Sequence, residues 1–365
     1  MVNNKPIVLQ QALNPVGGGG VSVEFRALQN SSLKDKYQFS PAVLIGSQGG
    51  FSLKDIAFYM KIIKEIQPDI IQVRGAAIDG LNAVIAAKLV GKCKIMVCVH
   101  GMYSDLVYIN RLKKWICKHI VERLIFSLSD GISCVCHAAD IRSYFAKYKR
   151  KGKMLPFVYN RIPDYSSLNT EKARSYIREN LNLTQNAVIG IFCGRVTKEK
   201  GMSILLEALT KLDANWPEDF KMLIVGNGDY LSKFTQGCKT LKNSTSIICV
   251  GEQSDVPSYL LASDFFVMPS LHENHSIALL EACAAKLPII STNVGGNAEI
   301  VYHKRNGVLI DKNCPNELCS EIRNMISNTE FRKDTALFYE ENPFEEFQAE
   351  HVDSQLDQAY KILLK

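Results

Sequence analysis

Hydrophobic residues in this chain fall into short unbroken runs, separated by longer stretches in which they recur every three or four positions. Ile7-Val-Leu, Asp69-Ile-Ile-Gln-Val, Lys94-Ile-Met-Val-Cys-Val and Asp130-Gly-Ile-Ser-Cys-Val read as strands, and Ala42-Val-Leu-Ile is a further short apolar run. Between them, Leu53 to Ile66 places Ile56, Met60, Ile63 and Ile66 at helical spacing. Gly80 to Val90 reads as a small-residue helix and Ala138–Phe145 as another. A polar stretch around Pro163–Asn169 follows, and then the pattern restarts. Strands are expected at Ala187–Cys193, Lys221–Val225, Ser246–Val250, Phe265–Met268 and Pro288–Ser291. Helices are expected at Met202–Leu212, Val256–Ala262 and Ile277–Ala285. Continuously apolar strands alternating with amphipathic helices predict parallel sheets covered on both faces. Two such runs predict an α/β protein of two doubly wound domains. In that architecture, ligands bind at the carboxyl ends of the strands and in clefts between domains.

Composition narrows the class. The chain has 365 residues, 47% hydrophobic and 22% charged, which is a globular balance. No apolar run reaches the roughly 18–20 residues of a membrane span, and the N-terminal residues lack a signal-peptide pattern. The eleven cysteines lie scattered in apolar segments without a Cys-x-x-Cys pair. They read as reduced, buried thiols of a cytoplasmic protein, with Cys134 and Cys136 alternating across a strand. The net charge of +6 is unevenly spread. Residues 1–162 hold 23 Lys and Arg against 10 Asp and Glu, whereas residues 163–365 hold 20 against 27. A basic first half suits an anionic bilayer, a phosphate-bearing lipid or nucleic acid.

The chemistry is expected in the loops that follow strands. Gly17, Gly18, Gly19 and Gly20 follow the first strand and let backbone amides approach a diphosphate, but they form neither Gly-x-Gly-x-x-Gly nor a P-loop. Gly194-Arg195-Val-Thr-Lys-Glu-Lys200-Gly201 lies between a strand and a helix, and it offers a guanidinium fork and an ammonium to a leaving diphosphate. Pro269 to Ala282 holds Glu273 and Glu281 eight positions apart, with Ser276 as the expected helix cap and the amides of residues 274–277 at its anion-binding end. Glu281 interrupts an apolar stripe, where a carboxylate is costly unless it is paired or bonded to a ligand; an exposed glutamate on a wet face is the equal alternative. His100 stands at a strand end, suited to a sugar hydroxyl. His272 and His275 do not form a zinc motif, and no Asp-x-Asp occurs.

Taken together, these segments resemble the family-four glycosyltransferases of the GT-B fold. The resemblance is carried by Gly194-Arg195 to Lys200-Gly201, Gly251 to Leu260, Glu273 to Glu281, Val294 to Val301, and Asn306-Gly307. It implies two Rossmann-like domains facing a central cleft. Residues 1–163 and a returning C-terminal helix (344–365) would form the acceptor domain, and residues 164–343 the nucleotide-sugar domain. The implied catalytic residues are Arg195, Lys200, Glu273 and His100. Gly17, Gly18, Gly194, Asn274, His275, Ser276, Ile277 and Glu281 would bind the donor, with Glu281 on the ribose hydroxyls. Transfer would retain anomeric configuration without a metal or other cofactor, the nucleotide sugar being a co-substrate. The sequence departs from the family pattern where Asn274 follows Glu273 in place of the usual glycine, which bears on donor-sugar identity.

The implied reaction moves a sugar from a UDP- or GDP-linked donor to a glycan or lipid-linked acceptor in surface-polysaccharide assembly. The basic amphipathic segment Arg111–Arg123 suggests contact with the inner face of an anionic membrane, the alternative being a packing helix with a solvated side. Three other functions fit parts of the sequence. A GT-B nucleotide-sugar epimerase would need no acceptor. A nicotinamide oxidoreductase is hinted at only by Gly226-x-Gly228. A nucleic-acid-binding module fits the basic half but lacks an aromatic–basic signature.

Overall fold

The apolar runs become parallel strands in two separate sheets. In the computed structural model the chain divides into two units, Met1–Arg161 with Glu346–Lys365, and Ile162–Glu345. The structure describes residues 5–12, 26–44 and 50–365.

The first unit is built on β1 (Ile7–Ala12), β2 (Gln38–Val43), β3 (Ile70–Arg74), β4 (Lys94–Val99) and β5 (Gly131–Cys134), in the spatial order β2-β1-β3-β4-β5. All four pairings are parallel. Helix Leu53–Ile66 is capped by Ser52, whose side chain accepts from Asp55 N, and it buries Ile56, Tyr59 and Ile63. Helix Ile78–Val90 buries its small residues Gly80, Ala83, Ala86 and Ala87 and ends at Gly91 in the left-handed conformation. The C-terminal helix Ala349–Leu364 packs on the opposite core with Leu356, Ala359, Tyr360 and Leu363.

Three local features differ from the sequence expectation. β2 begins at Gln38, upstream of Ala42, and runs through Pro41. It is an edge strand, so it needs neither an apolar run nor every backbone donor. β5 stops at Cys134, and Cys136 instead precedes the short helix His137–Asp140; both thiols are fully buried. The segment from Arg111 is two helices, Arg111–Ile116 and Glu122–Leu128, joined by a π-helical turn at Cys117–Val121. Cys117, Val121, Ile125 and Phe126 face the core, whereas Leu112, Trp115, Ile116, Ile120 and Leu124 are exposed.

The second unit contains β6 (Val188–Cys193), β7 (Phe220–Val225), β8 (Ile247–Gly251), β9 (Phe265–Met268), β10 (Ile289–Thr292) and β11 (Gly307–Ile310). Its order is β11-β10-β9-β6-β7-β8. The chain starts in the middle, runs outward through β7 and β8, and returns to lay β9 against the other side of β6. Asp264 fastens that return. Its carboxylate accepts from Ile189 N at 2.7 Å in β6 and from Arg174 and Arg178 on helix Thr170–Asn180. Arg178 is fully buried and also donates to the carbonyls of Thr184, Gln185 and Ala187. All eleven cysteines are free thiols.

Candidate functional site

Strand order fixes where the second unit can hold a ligand. β6 and β9 are neighbours, but their following connections leave in opposite directions, which opens a crevice at their carboxyl ends. The loop after β6 carries Gly194, Arg195 and Lys200, and leads into helix Met202–Leu212. The loop after β9 carries Glu273 to Ser276, and leads into helix Ile277–Ala284. Ser276 caps that helix as expected, its side chain accepting from Leu279 N.

The two loops are joined at several points. Leu271 N donates to Glu199 O at 2.8 Å, and the Lys200 ammonium donates to Glu273 Oε1 at 2.5 Å. Gly201, at φ 75°, sits where an added Cβ would lie 1.8 Å from the Pro269 carbonyl oxygen, so only glycine permits this approach. The loop after β10 closes on the same place. Gly296 N donates to Asn274 O at 2.7 Å, and a Cβ on Gly295 would lie 1.7 Å from Glu273 O. Glu273 is thus held by backbone from one side and by Lys200 from another. Its side chain is 10% exposed and that of Lys200 is 21% exposed, so the pair is largely shielded from solvent. Shielding a charged pair is costly unless its geometry is good.

Around this pair the neighbours have distinct characters. Arg195 is exposed, and its guanidinium forms no hydrogen bond or ion pair with another described residue. Asn274, His275 and Ser276 are buried and Ile277 is half-buried. Burial pushes the His275 imidazole down to about 3, so it is neutral at ordinary pH. Burial likewise pushes the Glu281 carboxyl up to about 7. Glu281 in turn raises the Tyr165 hydroxyl and the Cys193 thiol beyond what their own burial does, so these groups share one electrostatic neighbourhood. The Glu281 carboxylate forms no hydrogen bond with another described residue. Of the two readings of Glu281, the freely solvated one is excluded.

His100 lies in the first unit at the end of β4, partly exposed, with Arg74 Nη1 3.5 Å from its Nε2. Gly17 and Gly18 lie outside the described residues. Tyr165, Gly295 and Arg74 are additions that the sequence did not single out. Among the described residues, no group of three or more His, Cys, Asp or Glu is placed to hold a metal ion, and no helix is long and apolar enough to cross a membrane.

The glycines of Gly226-x-Gly228 have a structural use. A Cβ on Gly226 would lie 1.9 Å from Gly194 O, and one on Gly228 would lie 2.4 Å from Val196 O. The loop after β6 fills the space beside them, which removes the main argument for a dinucleotide fingerprint.

Comparison with known proteins bears directly on this unit. A family model, glycosyl transferases group 1, matches residues 174–337. These residues are a group 1 glycosyltransferase domain. An uncharacterized glycosyltransferase, MJ1178 of Methanocaldococcus jannaschii, is 35% identical over 146 residues, which is 40% of either chain. An Escherichia coli UDP-Gal:alpha-D-GlcNAc-diphosphoundecaprenol alpha-1,3-galactosyltransferase is 26% identical over 267 residues, covering 72% of this chain and 67% of that one. Among solved structures, Anabaena Alr3699/HepE in complex with UDP-glucose has a TM-score of 0.79 at 18% identity, covering 98% of this chain and 100% of that one. The glycosyltransferase domain and the unit before it therefore have the GT-B fold, with two Rossmann-like α/β units. In the glycosyltransferase domain, the family match spans both loops that carry Lys200 and Glu273.

Proposed function

We propose that this protein is a retaining glycosyltransferase. It moves a hexose from a UDP- or GDP-linked donor to a glycan or lipid-linked acceptor, in surface-polysaccharide assembly, without a metal. The observation that carries this reading is the Lys200–Glu273 pair at the β6/β9 crevice. It sets a cation where a diphosphate departs next to a carboxylate that can accept from sugar hydroxyls. Lys200 and Arg195 neutralise the charge that develops on the leaving group, the kind of pre-positioned electrostatics that contributes most in such sites. Glu281 accepts from the ribose, and the amides around Asn274–Ile277 receive the phosphate and sugar. The leaving phosphate itself takes the acceptor's proton, and His100 contacts the donor sugar.

A lipid-linked acceptor agrees with the surface of the first unit. Leu112, Trp115, Ile116, Ile120 and Leu124 are exposed on one segment, with Arg111, Lys113, Lys118 and Arg123 exposed among them. An apolar stripe between cations suits the inner face of an anionic membrane. The galactosyltransferase relative is named for a diphosphoundecaprenol acceptor, which supports the same choice.

A thermal-shift screen of nucleotides and nucleotide sugars tests the reading, because a ligand of the native state raises its stability by mass action. UDP or GDP and a matching sugar nucleotide are expected to raise the midpoint, and a panel without any shift would overturn the proposal. Product analysis with the donor alone distinguishes the epimerase, which would convert the donor without an acceptor.

A further inference from the structure

Parallel strands buried on both faces are normally apolar throughout, yet β1 and β3 carry Gln10, Gln11 and Gln72 in their interiors, all nearly or fully inaccessible. The side-chain hydrogen bonds of Gln10 and Gln72 form one directed chain, while Gln11 bonds separately to Arg74 N and Asp79 O. Arg74 Nη2 donates to Gln10 Oε1 at 3.1 Å, Gln10 Nε2 to Gln72 Oε1 at 2.8 Å, and Gln72 Nε2 to Cys98 Sγ at 3.0 Å. The Tyr360 hydroxyl also donates to Gln72 Oε1. Since a guanidinium can only donate, Arg74 sets the orientation of both amides.

The chain of bonds ends beside a cavity of about 30 Å³ lined by Arg74, His100, Ser133, Asn160 and Arg161. Of its two guanidiniums, Arg161 is neutralised by Asp353. Arg74 has no carboxylate partner among the described residues, and its Nε is buried without a hydrogen bond. Its two side-chain contacts, Gln10 and His100, supply no negative charge, so among the described residues the positive charge is uncompensated. A half-buried cation with spare donors and room for one or two water-sized groups calls for an anion. The volume suits the oxygens of a carboxylate or phosphate and excludes a sugar ring.

We infer that this pocket at the carboxyl ends of β3, β4 and β5 binds an oxyanion, a carboxylate or phosphate, borne by the acceptor, with Arg74 as its ion-pair partner. The assignment to the acceptor rests on the glycosyltransferase reading, whereas the oxyanion chemistry does not.

Equilibrium dialysis of the full chain against radiolabelled phosphate or radiolabelled acetate, at constant ionic strength and with the nucleotide site saturated, tests the pocket. At least one anion is expected to bind, with affinity reduced tenfold or more in Arg74→Gln and by a smaller factor in Arg74→Lys, which keeps charge but loses the planar fork. Preference for phosphate assigns a phosphoryl acceptor, and preference for acetate a carboxylate acceptor. If neither anion binds the wild type, or Arg74→Gln binds like the wild type, the inference is overturned. Should Arg74→Gln fail to fold, unchanged affinity in Arg74→Lys overturns it instead. Absence of nucleotide binding, with Arg74-dependent anion binding intact in nucleotide-free protein, would remove the glycosyltransferase reading and keep the oxyanion site.

Discussion

Lys200 and Glu273 lie 73 residues apart in sequence, and the ammonium of one donates to the carboxylate of the other at 2.5 Å. The contact joins the loop after β6 to the loop after β9, so a ligand at the crevice meets a pair that is already formed. Lys200→Ala is expected to lower turnover on the order of 10²–10³-fold while the protein stays folded, because charge stabilisation at the departing diphosphate is lost. Rates from a steady-state transfer assay, alongside a thermal melt, check this. Turnover within threefold of wild type would dismiss the role assigned to Lys200.

Glu281 has a pH signature. Its carboxyl is raised from 4.5 to about 7 by burial, so the folded chain keeps a proton that the unfolded chain has already released. Stability is therefore highest below pH 4.5 with respect to this group and is lost as pH rises through 7. Glu281→Gln cannot titrate. Relative to wild type, it should gain stability across that window, by on the order of 3 kcal/mol above pH 8. Denaturant melts at several pH values measure the difference, and parallel profiles would contradict it.

The same carboxyl predicts proton release on nucleotide binding. If the ribose hydroxyls donate to a carboxylate, binding near pH 6.5 must expel the proton that burial retains. Calorimetry in two buffers of different ionisation enthalpy should report release of a fraction of a proton in wild type and none in Glu281→Gln. Equal values in the two proteins would separate Glu281 from the ribose.

Gly295→Ala tests the backbone support of Glu273. The new Cβ would overlap the Glu273 carbonyl oxygen at 1.7 Å, at a φ of 55°. Strain of about 1–3 kcal/mol is expected, with turnover reduced roughly tenfold or more because Glu273 is displaced from its partner. Rate and melting temperature measured together decide the point; an unperturbed rate would mean that the loop relaxes elsewhere.

Exchanging Leu112, Trp115 and Ile120 for Gln removes apolar surface that is already exposed, so the fold should survive. Flotation with anionic vesicles should then fall at least severalfold, and neutral vesicles should bind little of either protein. Equal flotation of wild type and variant would leave this segment without a membrane role.

Much of the second unit was legible because its strands are continuous apolar runs and its loops carry charged residues in fixed spacing. Gly194 to Gly201 and Glu273 to Glu281 could be placed on strand ends from periodicity alone. Their meeting could not, since it depends on β9 returning beside β6 rather than following β8 outward, a choice made by distant contacts such as Asp264 with Ile189 N. In the first unit, Gln10 and Gln72 conceal strand interiors, because a buried amide is acceptable only when specific partners satisfy it. Arg74 has no sequence signature for the same reason, as its significance lies in the lack of a counter-charge among the described residues. The exposed face of Arg111–Arg123 was visible as amphipathic periodicity, but the π turn at Cys117–Val121 left no pattern to read.

The adjacency of β6 and β9 also has an evolutionary consequence. The polypeptide between them makes an outward excursion through β7 and β8 and re-enters the sheet next to where it left. Lengthening or replacing β7 and β8 leaves the lysine and the glutamate on the loops that follow the two inner strands, so recognition of new donors can diversify on the flank while the reacting centre is inherited unchanged.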